Sequence, residues 1–211
     1  MVDADAHEPE RSPVDRTVGG FDRWVDRRFD ALRGRPVADR ILYTASTVGE
    51  HGTIWLLIAL VLVVRPPTRR RGLRLLLWLG IESAVVNGPM KMAVRRERPE
   101  RPGERPHRLR EQSTSSFPSG HSASSACMAT LLAEGSRWWP VWWAVALTIA
   151  ASRIHVRDHH ASDVAGGLVV GVGMGLLGRR VGPHDTSTGR GLDVVVDLAL
   201  DQSWRRRGRG R

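Results

Sequence analysis

The residues best suited by type to do chemistry lie in one stretch, Ser152-Arg-Ile-His-Val-Arg-Asp-His-His-Ala-Ser-Asp163, set between two apolar runs. His159 and Asp163 are four apart, so a helix would place both on one face about one turn apart. A carboxylate that accepts from one imidazole nitrogen fixes the tautomer and makes the other nitrogen a better base or nucleophile. Arg153 stands one and a half turns earlier, where its guanidinium can hold an oxyanion. Taken alone, the stretch reads equally well as a polar turn at a membrane edge with incidental histidines.

Two upstream clusters shift that balance. In Lys91-Met-Ala-Val-Arg-Arg-Glu-Arg-Pro99, Lys91 and Arg98 are seven apart, so a helix would set them on one face before Pro99 stops it. A basic helix end beside headgroups would account equally for Arg95, Arg96 and Arg101. In Phe117-Pro-Ser-Gly-His121, Gly120 permits a tight turn, and the helix that follows offers free backbone N–H groups to a phosphate. The Ser119 hydroxyl would add a donor and His121 would stand beside the anion, whereas the bland alternative is a simple Ser N-cap.

These side chains need elements to gather them. The 211 residues suffice for one domain, with a formal charge of +10 and all but one of the 32 basic side chains arginine. Such a balance fits nucleic acid, anionic lipid or an anionic substrate. Cys127 is the sole cysteine, which excludes an intramolecular disulfide and a cysteine-based metal site. No apolar h-region of a signal peptide occurs in the first fifty residues. Mean hydropathy is only −0.26, but the polar residues concentrate in two tails and two loops.

The expected fold is an all-α, membrane-embedded bundle of about five apolar helices, preceded by amphipathic N-terminal helices. Residues 1–20 read as a disordered tail, 21–181 as the helical domain and 182–211 as a basic tail. Phe21, Trp24, Val25, Phe29 and Leu32 recur at helical spacing, and Val37, Ile41, Leu42, Ala45 and Val48 repeat the pattern after Gly34 and Pro36. Apolar helices are expected at Thr53–Val64, Leu75–Val94 (interrupted by Glu82, Asn87 and Pro89), Phe117–Ala133, Trp138–Ala151 and Val164–Leu177. Four tryptophans between 138 and 143 fit an interfacial belt, and the glycines after 164 fit close packing in lipid. Leu192–Leu200 is amphipathic, and the arginines of 205–211 suit lipid headgroups. If successive helices alternate in direction, all three polar clusters meet at one membrane face. The basic loop 65–74, with five arginines, then lies on the other face and puts the site outside the cytoplasm.

Together the clusters resemble the type 2 phosphatidic acid phosphatase family, shared with bacterial acid phosphatases and vanadium haloperoxidases. Its pattern, Lys-x6-Arg-Pro, then Pro-Ser-Gly-His, then Ser-Arg-x5-His-x3-Asp, is matched by Lys91–Pro99, Pro118–His121 and Ser152–Asp163. The resemblance implies a helical bundle and phosphate ester hydrolysis without metal or other cofactor. It implies His159 as the nucleophile forming a phosphohistidine, Asp163 as its orienter and His121 as general acid. Lys91, Arg98, Ser119, Gly120 and Arg153 would bind the phosphate oxygens. The same assignments follow from the need for fixed cations and N–H donors where phosphoryl transfer develops charge. His155 and His160 read as supporting or headgroup-facing residues, and Arg95, Arg96, Arg101, Arg105, Arg108 and Arg110 as the rim of the site mouth.

The expected function is therefore a multi-pass membrane phosphatase acting on lipid phosphates or diphosphates, of polyprenyl, phosphatidic acid or phosphatidylglycerol phosphate type. Its partners would be that lipid and the bilayer, not nucleic acid. A phosphotransferase on the same scaffold and a non-catalytic basic protein binding anionic lipid are the rival readings. The chain is short for a haloperoxidase, and vanadate discriminates: it inhibits a phosphatase and is the cofactor of a haloperoxidase.

Overall fold

The computed structural model describes residues 13–100 and 114–181 and contains only helices, turns and extended segments there. The expected features at 1–12, at 182–211 and at Arg101, Arg105, Arg108 and Arg110 lie outside the described residues.

Helix α1, Pro13–Asp30, starts ahead of Phe21, and α2 follows over Pro36–Val48 with Pro36 at its first turn. A left-handed turn at His51 and Gly52 bends the chain into α3, Thr53–Val63. α4 spans Arg69–Val85 and gives way to a π-helical turn at Val86–Met90, where Gly88 and Pro89 break the regular ladder. α5 is the single turn Lys91–Ala93, after which Val94 is already extended. The remaining helices are α6 (Gly120–Ala133), α7 (Trp139–His155) and α8 (Ala161–Val181).

α6 is the axis of the fold. Its residues from Ser122 to Leu132 are all buried, which is why it reads as small and weakly polar without an amphipathic stripe. α8 lies against it through Gly167, Gly171 and Gly175, spaced four apart on one face; a Cβ at those glycines would meet Ser119 O, Ala123 O and Thr130 Cβ. The main core joins Trp55, Leu62, Leu75, Trp78, Met128, Leu131 and Ile149 from α3, α4, α6 and α7. Val25 and Phe29 of α1 pack on a second cluster of Ala150, Ile154, Ala161 and Val164.

By length and composition, α8 suffices to cross a membrane, and α2 with the helix that follows it to Val63 would do so as a pair bent by 56°. Large apolar side chains nevertheless face outward on α3 (Leu56, Leu57, Leu60), α4 (Leu73, Leu77, Ile81), α7 (Val141, Leu147) and α8 (Val169, Leu176, Leu177). At the end of α6 away from His121, Arg71 Nη2 donates to the carbonyls of Leu131 (3.1 Å), Leu132 (2.7 Å) and Glu134 (3.1 Å). Arg74 pairs with Glu134. Two arginines of the expected basic loop 65–74 thus lie on α4 and cap a helix C-terminus, where cations are favoured.

Candidate active site

The chemistry-bearing residues come from five separate pieces of chain. The π turn and α5 carry Lys91, the extended run 94–100 carries Arg98, and the start of α6 carries Gly120 and His121. The last turn of α7 carries Arg153, and the turn before α8 carries His159. Lys91, Gly120, His121 and His159 line one cavity of about 290 Å3, together with Glu82, Ser83, Asn87 and Thr114. Lys91 and Arg98 also line an adjoining groove of about 650 Å3.

Two local geometries differ from the helical spacing expected. Arg98 is not on a helix with Lys91, because the helix ends at Ala93 and an extended strand of chain delivers Arg98 instead. His159 and Asp163 do not share one helix either. The turn 156–160 separates α7 from α8, Arg157 takes a left-handed φ of 53°, and Asp163 lies in the first turn of α8. Asp163 Oδ2 accepts from the backbone N–H of His160 at 2.8 Å, an acidic group satisfying a helix N-terminus.

His159 is buried. Its Nδ1 lies 3.7 Å from Asp163 Oδ2, beyond hydrogen-bond range, while Nε2 stands 3.4 Å from Arg98 Nη1. With Nδ1 turned to the carboxylate, Nε2 is the nitrogen left for attack. Burial pushes the imidazole down to about 4, against the opposing pull of Asp163 and helped by the charges of Arg153 and Arg98. The ring is therefore neutral at pH 7, with the Nε2 lone pair turned to the Arg98 guanidinium. His121 Nε2 is buried and has no hydrogen-bond partner among the described residues. A buried imidazole with an unused ring nitrogen in the same cavity as a second imidazole is placed where it can give or take a proton.

The phosphate-binding candidates are placed unequally. Lys91 is buried, with Nζ 3.4 Å from Thr114 Oγ1. Arg98 Nη1 donates to the carbonyl of Asp158 at 2.8 Å. Arg153 is buried and donates to Ser46 Oγ and the carboxylate of Asp158. Ser119 is fully buried at the N-cap of α6; its Oγ accepts from Ser122 Oγ at 3.0 Å and its N–H donates to the Asp163 carbonyl at 3.1 Å, so it braces α6 against α8.

Several other residues do what their sequence gave no sign of. Arg96, read as part of the mouth, is buried: it donates to Asp163 Oδ1, to Ser162 Oγ at 2.7 Å and to Asp22 Oδ2 at 2.7 Å. His155 faces no headgroup. It is buried between Phe29 and Tyr43 with Nε2 2.8 Å from Asp39 Oδ1, locking α7 to α1 and α2. Asp158, beside His159, is buried and holds both Arg153, by its carboxylate, and Arg98, by its carbonyl. Glu82, which only interrupts an apolar run in the sequence, is buried in the cavity wall with Oε1 unpartnered among the described residues. A carboxylate inside an apolar helix was the one available signal for it.

Residues 71–186 match the family model described as PAP2 superfamily. The chain is 32% identical over 162 residues to the decaprenylphosphoryl-5-phosphoribose phosphatase of Mycobacterium tuberculosis (strain CDC 1551 / Oshkosh), covering 72% of this chain and 85% of that protein. It is also 32% identical over 150 residues to the protein of that name in Mycolicibacterium smegmatis, covering 65% and 75%. Among solved structures, the fold is similar to the transmembrane PAP2 type phosphatidylglycerolphosphate phosphatase from Bacillus subtilis, with a TM-score of 0.63 at 20% identity over 80% of this chain and 90% of that one.

Proposed function

The chain belongs to the PAP2 superfamily, and on that premise we propose that it is a membrane-embedded lipid phosphatase that removes phosphate from a polyprenyl-linked phosphoester through a phosphohistidine. The single observation that carries the mechanism is the cavity shared by Lys91, His121 and His159, with Asp163 behind one ring nitrogen of His159 and Arg98 beside the other. His159 Nε2 attacks phosphorus as the bond to the leaving oxygen breaks. Lys91, Arg98, Arg153 and the Gly120 N–H hold the three non-bridging oxygens, and His121 protonates the leaving oxygen. Water then attacks the phosphorus–nitrogen bond, giving its proton to His121, and inorganic phosphate leaves with His159 restored.

Three features support a lipid substrate in a bilayer. Apolar side chains face outward on α3, α4, α7 and α8, an arrangement costly in water. α8 is long and apolar enough to span. The curated relatives are named for a decaprenyl-linked phosphoester. The expectation of about five membrane-embedded apolar helices, with the site on the extracytoplasmic face, belongs to this proposal.

The test is phosphate release in detergent micelles from a panel of polyprenyl phosphates, polyprenyl-linked sugar phosphates, phosphatidic acid and phosphatidylglycerol phosphate. Wild type should act on a polyprenyl-linked member, and His159→Ala should lose release by a factor of about 10^4 or more while remaining folded. Full activity in that variant sinks the nucleophile assignment. Labelled phosphate passing to an added alcohol in preference to water would turn the reading towards a transferase.

A further inference from the structure

Asp22 lies outside the three motifs, Arg96 fills a variable position of the first, and neither takes part in the steps above. Yet they form a buried ion cluster directly behind Asp163. Side-chain exposure is 1% for Arg96, 7% for Asp22 and 0% for Asp163. The members come from three places: Asp22 from α1, Arg96 from the extended run after α5, and Ser162 with Asp163 from the first turn of α8. Asp22 Oδ1 accepts from the Ser162 N–H at 2.7 Å, and Asp22 Oδ2 accepts from Ser162 Oγ at 2.8 Å and Arg96 Nη2 at 2.7 Å. Arg96 Nη1 donates to Asp163 Oδ1. A planar guanidinium held at both Nη atoms is itself fixed, and its bond from Nη1 anchors Asp163 Oδ1 while the His160 N–H holds Oδ2. With Oδ1 held in this way, Asp163 presents Oδ2 towards His159 Nδ1.

We propose that Asp22 and Arg96 are positioning residues for the nucleophile: α1 holds Arg96, Arg96 fixes the Asp163 carboxylate, and Asp163 aims His159 so that Nε2 meets the phosphate. Helix α1 is then part of the catalytic apparatus and not merely an N-terminal appendage. This inference rests on the phosphohistidine reading.

The experiment compares Asp22→Asn, Arg96→Gln, Arg96→Lys and their double combination Asp22→Asn/Arg96→Gln, with Arg27→Gln as an exposed control on the same helix. Each is purified in detergent, its folding checked by thermal unfolding, and kcat and KM measured for phosphate release. Asp22→Asn and Arg96→Gln should lower kcat about 10-fold or more with KM within about twofold, the scale of loss seen when a group behind a catalytic histidine is removed. The double variant should lose little beyond the worse single variant, because the two act in series. Arg96→Lys should recover part of kcat, restoring charge without the fork.

A purely structural tie would not alter the titration of His159. That ring is faced by Asp163 from α8, Arg98 from the extended run and Arg153 from α7, and it shares the cavity with Lys91 and His121. All remain in Arg96→Gln, so the change is that Asp163, with Asp22 behind it, is stripped of its balancing cation. His159 should bind its proton more tightly, and both the acid limb of kcat and the NMR titration of the His159 ring should move to higher pH. Undiminished kcat in folded Asp22→Asn and Arg96→Gln, or a loss with an unmoved titration, overturns the inference. If wild type releases no phosphate from any lipid phosphate, the phosphatase reading fails by itself. The NMR titration in Arg96→Gln then still decides the positioning claim.

Discussion

At the scale of single residues, the site depends on charges whose partners are themselves buried. His159 stays neutral because burial outweighs the pull of Asp163, with a folded value of about 4 against an ordinary imidazole near 6.5. An NMR titration of its ring proton, assigned by absence in His159→Ala, should show the neutral form persisting down to about pH 5; a midpoint near 6.5 would contradict it. The sign also bears on stability. The unfolded state binds the proton more tightly, so His159 makes the fold less stable as pH falls from about 6.5 towards 4. Asp158 makes a second case. Its carboxylate is the buried counter-ion of Arg153, and breaking such a pair costs on the order of 3 kcal/mol. Asp158→Asn should therefore lower the melting temperature. Added orthophosphate or vanadate should restore more of it than in wild type, since an oxyanion in the cavity supplies the missing charge. Equal stabilisation of both proteins would show that Arg153 does not face the anion.

At the scale of elements, the α6–α8 contact decides how close the two halves of the site can come. A Cβ at Gly171 would lie 2.1 Å from the Ala123 carbonyl oxygen, a backbone atom that cannot rotate away, whereas at Gly173, on the opposite side, a Cβ meets nothing within 4 Å. Helix propensity alone favours Ala over Gly by about 1 kcal/mol. Gly173→Ala should therefore be neutral or slightly stabilising. Gly171→Ala should destabilise by about 2 kcal/mol or more as the helices are forced apart. Thermal unfolding in one detergent compares them, and a Gly171→Ala variant as stable as wild type would mean that the helices are not in this register. The helices themselves were largely legible in the sequence: apolar periodicity, Gly34–Pro36, Pro89 and the tryptophan run mark starts and stops that the structure places within a few residues. Lys91, His121 and His159 were legible by spacing within their motifs. Arg96 and Asp22 were not, because their partners lie far along the chain, and Asp158 was not, because a sequence full of arginines does not say which of them it pairs with. The helical spacing assumed for Lys91–Arg98 and His159–Asp163 failed for a related reason: three turns and an extended run, not one helix face, bring those groups together.

At the scale of the whole molecule, the question is which side of a bilayer the cavity opens to. Of the five arginines in 65–74, Arg71 and Arg74 are engaged with the end of α6, which leaves Arg65, Arg69 and Arg70 to act as topology signals. Arg137 and Arg180 are exposed on the α6–α7 turn and the last turn of α8. With alternating helix directions these fall at the end of the bundle opposite His121 and His159, so the exposed arginines of that end still favour the cytoplasm. α1 complicates the balance, because it carries Arg23, Arg27 and Arg28 at the site end. Asp26 and Asp30 of the same helix are already paired with Arg33 and Arg157, which balances those two arginines instead. The protein offers a clean way to decide. Cys127 is its only cysteine and is fully buried in α6, so it should not react with a membrane-impermeant maleimide. Arg69→Cys probes the basic end and Met92→Cys, exposed beside the groove, probes the site end. In intact cells the reagent should label Met92→Cys and leave Arg69→Cys untouched until the membrane is permeabilised. The reverse pattern would place the cavity in the cytoplasm, and would make the exposed arginines of the far end lipid-headgroup contacts without a say in orientation.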